Sequence, residues 1–211
     1  YNYKGKYFIQ GSVRYDGISD LPEANKWGLF PGGSVGWTVS EESFMESLKD
    51  VISDFKIRAS YAEVGNVAIG DTPFLGTYSN FKYSDYNGIA FSQMGNDQLK
   101  WETSKKFDVG FDFSLFQGKF KFDFDYFVNN QDDLILRVPL IPSLGIPGST
   151  TNPGGEVARN IGNIKNHGYE MSFDATLIDN DNFNWSVDGN LSLVGSEVKE
   201  LVGSNDMLSA D

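Results

Sequence analysis

Apolar and polar residues alternate with a period of two along most of this chain, the pattern of a strand with one dry and one wet face. From Phe107 to Leu115 the odd positions are Phe107, Val109, Phe111, Phe113 and Leu115, separated by Asp108, Gly110, Asp112 and Ser114. The phase flips across Gln117-Gly118, after which Phe120, Phe122, Phe124, Tyr126 and Val128 alternate with Lys121, Asp123 and Asp125. A two-residue turn at Gln117-Gly118 places Leu115 opposite Phe120, Phe113 opposite Phe122, Phe111 opposite Phe124, Val109 opposite Tyr126 and Phe107 opposite Val128. A slip of one residue would set Phe against Lys or Asp along the whole ladder, so the register is strongly specified. On the other face Asp112 meets Asp123, a pair tolerable only in water or beside cations such as Lys121.

A second hairpin repeats the plan, with Tyr169 to Leu177 before a turn at Asp179-Asn180-Asp181 and Phe183 to Leu193 after it. Earlier segments agree: Tyr7, Ile9, Val13 and Tyr15; then Val35, Trp37 and Val39; then Phe55, Ile57, Ala59 and Tyr61, alternating with Lys56, Arg58 and Ser60. Seven strands follow, at roughly 6–16, 31–39, 54–64, 99–116, 119–137, 160–178 and 183–199. The one helical candidate, 41–52, carries Phe44, Leu48 and Ile52 on one stripe, with Ser40 and Ser43 able to cap its start; it reads as a short connector. Strands this long exceed the usual length of about 5–6 residues. Eleven residues at about 3.3 Å each, tilted about 40°, cover roughly 28 Å of height, close to the apolar band of a transmembrane barrel. The gaps at about 17–30, 65–98 and 138–159 are long, and those at 40–53, 117–118 and 179–181 are compact. Loops and tight turns at opposite ends are the habit of such barrels.

Composition narrows this further. The 211 residues carry 29 acidic against 17 basic side chains, a formal charge of −12, which argues against a nucleic-acid partner. There is no cysteine and a single histidine, His167, so thiolate chemistry, a disulfide framework and a His-rich metal cluster are excluded. No apolar run is long enough for a transmembrane helix. Aromatics make up 15% of the chain although it is polar on average, as long two-faced strands require. Seven antiparallel strands leave two unpaired edges, which lipid does not tolerate, and a charged inner face implies a wide barrel. The chain therefore reads as a piece of a larger barrel.

The residues then resemble a known family. Lys6-Tyr7 leads to Arg14-Tyr15-Asp16-Gly17, followed by Trp27-Gly28-Leu29-Phe30-Pro31, Gly36-Trp37 and Ser40-Glu41-Glu42-Ser43-Phe44-Met45. Next come Lys56-Ile57-Arg58-Ala59-Ser60-Tyr61, Gly65-Asn66, Leu99-Lys100-Trp101-Glu102, Gly110-Phe111-Asp112 and Asp133-Leu134-Ile135-Leu136. The series closes with Asn160 to Glu170, Trp185 and Asn190. This ordered series resembles the barrel region of SusC/RagA-type TonB-dependent outer-membrane transporters. It departs at Ala62, where the family has Gly, and at Ile18, which interrupts its Asp-Gly-Ser-Ser. The resemblance implies an all-β fold, a transmembrane antiparallel β-barrel of which about seven strands of about 22 are present. Residues 1–211 would be part of one β-barrel domain without an internal boundary, the plug, the TonB-contacting segment and the terminal strands lying elsewhere. It also implies TonB-dependent import of a large glycan or peptide across the bacterial outer membrane, beside a SusD-like surface lipoprotein and in contact with outer-membrane lipid, with no catalysis and no cofactor.

Candidate chemistry is sparse. Neighbouring acids such as Asp132-Asp133 and Glu41-Glu42 read as solvated charge, Asp179 to Asp181 as a plain turn, and His167 as a strand residue without special function. Gly32-Gly33 and Gly154-Gly155 lack the lysine of a phosphate loop. The 65–98 loop sets Phe74, Tyr78, Phe81, Tyr83, Tyr86 and Phe91 among Ser, Asn, Asp and Gly, a composition suited to stacking on sugar rings or extended peptides. Tyr78, Phe81, Tyr83 and Tyr86 are the candidate ligand contacts, with self-packing or contact with the lipoprotein as the rival reading. The 138–159 loop, with Pro139, Pro142, Pro147 and Pro153, reads as a structured external loop, a lid or lipoprotein contact. Trp37, Trp101, Tyr126, Tyr169 and Trp185 are candidates for aromatic girdles. Lys106, Asp108, Asp112, Lys121, Asp123, Asp125, Glu170, Asp174 and Asp188 would line the translocation path, their mixed signs suggesting a hydrated wall. The alternative from another class is a secreted all-β carbohydrate-binding or adhesin module, in which the Phe rows form a sandwich core.

Overall fold

The computed structural model describes residues 1–67, 70, 73–146 and 155–201. Ten strands form in chain order: β1 (Asn2–Tyr3), β2 (Tyr7–Gly17), β3 (Trp27–Thr38), β4 (Ile52–Asn66), β5 (Thr77–Tyr83), β6 (Tyr86–Gln93), β7 (Glu102–Leu115), β8 (Phe120–Pro139), β9 (Glu156–Asn180) and β10 (Phe183–Leu201). Eight of them make one antiparallel sheet in the order β1-β2-β3-β4-β7-β8-β9-β10, and β5 pairs with β6 alone. Each of the seven expected strands is present, and most run longer than the alternation marks.

The β7–β8 register is the one the alternation specifies. Leu115 faces Phe120, Phe111 faces Phe124 and Phe107 faces Val128, and Asp112 does face Asp123. The turn is tight because Phe116, Gln117 and Gly118 all take positive φ, of 51°, 59° and 88°. The Lys119 amide closes it on the Phe116 carbonyl at 3.4 Å. At the second hairpin the turn falls one residue later than expected, on Asp181-Asn182. The Asn180 Oδ1 accepts the amides of Asn182 and Phe183, at 3.1 and 2.9 Å, and so stops the strand at Asn180. A bulge between Trp185 and Ser186 then sets odd positions opposite odd ones again, so that apolar meets apolar and Leu191 faces Met171.

The connector after β3 differs from its expected form. It is two 3₁₀ segments, Val39–Glu41 and Ser43–Leu48, and no side chain caps either. The Ser40 hydroxyl turns instead to Asp54, at 3.2 Å. This connector, 39–51, is longer than the 18–26 loop at the opposite end. The asymmetry of the two ends therefore rests on the 67–101 and 140–155 connections.

The apolar face of the sheet is uncovered. Ile9, Val13, Leu29, Val35, Phe107, Phe173, Leu191 and Leu193 are all large, apolar and exposed. Among the described residues no second sheet packs on them, and the two-stranded β5–β6 hairpin belongs to the long-loop end. The rings on this face pack mainly on one another, as in Phe55 with Phe113 at 5.5 Å, Phe111 with Phe124 at 5.5 Å and Tyr126 with Tyr169 at 5.0 Å. A sandwich core would be covered; this face is suited to hydrocarbon. The buried cluster lies at the long-loop end, where Leu21, Leu99, Ile135 and Ala158 close on Ile18, Val67, Phe74 and Trp101. β9 extends about 80 Å at 3.3 Å per residue, far beyond a band of about 25 Å. Its N-terminal end, with Val157, Ala158 and Ile161 buried, is packed among the loops.

Candidate functional site: the polar wall and the long-loop end

Opposite the apolar face, the sheet presents a polar wall whose centre is Arg58 on β4. Arg58 is opposite Gly110 on β7, and Gly110 is opposite Asp125 on β8. One strand, β7, lies between Arg58 and Asp125, a span that the long Arg58 side chain crosses only if nothing stands in its way. Glycine supplies that gap: a Cβ at Gly110 would collide with Asp125 Oδ1 and lie 2.5 Å from the Phe124 carbonyl oxygen. Across it Arg58 Nη2 donates to Asp125 Oδ2 at 2.8 Å, and Nη1 lies 2.7 Å from Oδ1 as an ion pair. Arg58 Nε also donates to Asp112 at 3.1 Å, and Nη1 lies 3.7 Å from Asp108. Arg58, not Lys121, is thus the cation that makes the opposed Asp112 and Asp123 tolerable. Asp123 additionally accepts the Ser172 hydroxyl at 2.8 Å.

The signs that are mixed in sequence are not evenly mixed in space. Three carboxylate pairs are directly opposed: Asp112 with Asp123, Asp125 with Glu170, and Asp174 with Asp188. Like charges in these positions destabilise a sheet unless water or a cation screens them. Among the described residues Asp123, Glu170, Asp174 and Asp188 have no ion-pair partner. The wall is therefore hydrated and acidic.

The apolar face ends in aromatic rows. Tyr1, Tyr3, Tyr7 and Trp37 stack in series at 6.5 Å per step near the tight-turn end, and Tyr15 stacks on Trp27 at 5.1 Å near the other. Tyr7 Oη and Trp37 Nε1 both donate to Glu42 of the connector, at 2.6 and 3.2 Å, and Lys6 adds a third contact at 3.3 Å. The Tyr7 and Trp37 hydrogen bonds, with Lys6, hold the Glu42 carboxyl below the usual carboxylate range. Trp37, Tyr169 and Trp185 are exposed on the apolar face, and Tyr126 joins Tyr169 there. Trp101 is not a girdle residue: its ring meets Phe30 edge-on at 5.3 Å, against the loop-end core.

At the long-loop end the alternation of β8 breaks at a bulge between Gln131 and Leu134, where Asp133 takes φ +60°. Asp132 pairs with Lys105 at 2.9 Å and Asp133 with Lys100 at 2.8 Å, so these acids are engaged and not merely solvated. Asn160 on β9 accepts from the Lys100 amide at 3.0 Å, and donates to the Lys100 and Asp133 carbonyls at 2.9 and 2.7 Å. Glu102 accepts the Ile135 amide at 2.7 Å and the Asn66 side chain at 2.7 Å. These bonds fasten the strand that follows the 67–101 loop to the bulged region.

The four candidate ligand contacts fall on the β5–β6 hairpin, where the sequence pattern predicts only loop. Tyr78 packs on Phe91 at 4.6 Å and stays mostly exposed, and Tyr86 is exposed at the hairpin tip. Tyr83 is in register with Tyr86 and Phe81 with Gly88; the side chains of Phe81 and Tyr83 lie outside the described residues. So do Pro147 and Pro153 of the Pro-rich loop, and Gly154. His167 lies on β9 between Val128 and Gly195.

A family model for the TonB dependent receptor-like β-barrel matches residues 1–206. The chain belongs to that family. A TonB-dependent receptor of Formosa agariphila is 40% identical over 202 residues, covering 95% of this chain and 19% of the relative. The TonB-dependent receptor SusC of Bacteroides thetaiotaomicron is 29% identical over 216 residues, covering 98% and 20%. The solved RagAB peptide importer in its closed-closed state superposes with a TM-score of 0.81 at 24% identity, over 93% of this chain and 21% of that one. The SusC/RagA resemblance thus holds, and this TonB-dependent receptor segment spans about a fifth of the length of those relatives. Its sheet is a stretch of an outer-membrane β-barrel, open here at β1 and β10. The uncovered Phe rows face lipid, which sets aside the soluble sandwich. Sequence reasoning missed the Arg58 hub, since it depends on which strand neighbours β7, and missed the β5–β6 hairpin, whose Ser84-Asp85 turn lacks the Asn-Gly signal.

Proposed function

We propose that the parent protein imports a large polar nutrient, a glycan or a peptide, across the bacterial outer membrane with energy from TonB. This segment would supply part of the barrel wall and its external loops. The observation that carries the reading is the two-faced sheet: an exposed aromatic and aliphatic face backs a hydrated acidic wall centred on Arg58. A wet inner wall is of use to a passage for hydrophilic cargo, and a narrow barrel would fill that space with side chains. The relatives named TonB-dependent receptors support energy coupling through TonB, and the likeness to RagAB supports a two-component arrangement with a SusD-like surface lipoprotein. In this reading the β5–β6 hairpin, with Tyr78, Phe81, Tyr83 and Tyr86, contacts cargo or the lipoprotein. The test is uptake of fluorescent oligosaccharides and oligopeptides by cells carrying or lacking the parent gene, with and without TonB. Uptake that requires both supports the reading; uptake indifferent to both refutes it.

A further inference from the structure

At the tight-turn end, the 39–51 connector carries exposed apolar side chains where a turn in water would carry polar ones. Phe44 is 63% exposed, and Leu48, Val51 and, on the neighbouring β7–β8 turn, Phe116 are exposed as well. Missing neighbours do not explain this, because β3 and β4 are flanked in the same sheet by β2 and β7. The path of the connector shows which side it occupies. Ser40 is buried and turned to Asp54, which is in register with Ser114 of the polar wall. Two residues later Glu42 accepts from Tyr7 Oη and Trp37 Nε1, both in the aromatic row of the apolar face. The chain thus crosses the rim of the sheet outward, and Ser43–Leu48 begins on the lipid side. Lys49 returns to Glu41 at 3.7 Å and closes the segment into a short loop. The Val51 carbonyl accepts the Phe116 amide at 2.8 Å and ties its end to the next turn. At about three residues per turn, Phe44 aligns with Ser47, Met45 with Leu48 and Ser43 with Glu46, so the loop has an apolar and a polar side.

We propose that this connector is an interfacial foot, with Phe44 and Leu48 seated at the headgroup–acyl boundary of the periplasmic leaflet and Phe116 as a second contact. The occupant follows from continuity with the lipid face. Tyr7 and Trp37 stand in the row where that face ends, and such aromatic rows lie at headgroup level. A segment bonded to both through Glu42 lies at that level too. Tight turns of these barrels face the periplasm, which fixes the leaflet. Charge selects the lipid. The connector carries Glu41, Glu42, Glu46 and Asp50 against Lys49, so an anionic surface repels it and zwitterionic ammonium headgroups accept it. A seat of this kind fixes the depth at which β3 and β4 meet the leaflet.

The experiment places an environment-sensitive fluorophore on single replacements Phe44→Cys, Leu48→Cys, Glu46→Cys and Phe111→Cys in the full-length parent protein, with any other cysteine removed. The protein is reconstituted in vesicles of phosphatidylethanolamine with phosphatidylcholine, and separately of phosphatidylglycerol. Quenchers are a headgroup nitroxide lipid, a deep-chain nitroxide lipid and aqueous iodide. The expected result at Phe44→Cys and Leu48→Cys is loss of about half the emission or more to the headgroup nitroxide, as a depth of about 5–10 Å requires, and little to iodide. Glu46→Cys should respond chiefly to iodide, and the headgroup quenching should weaken in phosphatidylglycerol. Quenching of the Phe44→Cys and Leu48→Cys labels by iodide alone would overturn the proposal by showing a loop free in water. Protection from all three quenchers would overturn it in favour of a protein occupant, and stronger headgroup quenching in phosphatidylglycerol would overturn the choice of lipid. The Phe111→Cys label reads the membrane assignment separately: insensitivity to the deep-chain nitroxide there would refute the lipid face itself.

Discussion

Replacing Gly110 by alanine tests the hub of the polar wall. The added Cβ would lie 2.5 Å from the Phe124 carbonyl oxygen and would collide with Asp125, so backbone and side chain must both give way. Overpacking of this kind costs about 1–3 kcal/mol. Displacing Asp125 from Arg58 adds about 1 kcal/mol, a value already reduced because Arg58 is one-third exposed. Removing a strand glycine returns about 0.5–1 kcal/mol. The net expectation is destabilisation of about 1–3 kcal/mol. Gly11 on β2 is the control, because its Cβ would meet nothing within 4 Å; Gly11→Ala should be neutral or slightly stabilising. The assay is the urea midpoint of the full-length parent protein in detergent, followed by tryptophan fluorescence. Equal midpoints for Gly110→Ala and wild type, or equal shifts for the two alanine variants, would refute the reasoning.

Other perturbations follow from the same geometry. Val13 is 69% exposed on the lipid face, two residues inside the Tyr15–Trp27 row, so Val13→Arg should cost about 1–2 kcal/mol in reconstituted bilayers while Ser12→Arg, on the other face, costs far less. Folding titrations in phospholipid vesicles would separate them. Asn160→Ala removes bonds to three backbone groups and should destabilise the long-loop end by about 1–3 kcal/mol, seen as faster amide hydrogen exchange over 94–101 with little change in β7 and β8. Because the folded state holds the Glu42 carboxyl below its ordinary value of about 4.3, its stabilising contribution is present above that value and lost as pH falls through the depressed one. Protease nicking of the 39–51 connector should therefore rise on acidification below about pH 4 in wild type and be flatter with pH in Glu42→Gln.

The parts of this fold legible in the sequence are those governed by nearest neighbours along a hairpin. Phe107 to Val128 could be registered residue by residue because each slip carried an apolar-to-charge penalty. The turn at Asp181-Asn182 was misplaced by one because a bulge at Trp185 hides the offset from simple alternation. Long-range partners were not legible: nothing local says that β7 follows β4 in the sheet, so Arg58 could not be matched to Asp112 and Asp125. Trp101 carries the same aromatic signal as Trp37, yet lies among Phe30 and the loop core because the strands at that end outrun the lipid band. The candidate tyrosines were recognisable from composition, whereas the Lys100–Asn160 bonds join segments 60 residues apart that no local pattern connects.

The most direct test of the central claim is the lipid accessibility of β7, residue by residue. The chain has no cysteine, so single replacements from Phe107 to Ser114 can be spin-labelled in the reconstituted parent protein, provided any cysteine elsewhere in it is removed. The prediction is a period-two oscillation in collision with lipid-dissolved oxygen, with maxima at Phe107, Val109, Phe111 and Phe113 and minima at Asp108, Gly110, Asp112 and Ser114. A flat profile, or maxima at the aspartates, would contradict the assignment of this sheet as a membrane-spanning wall.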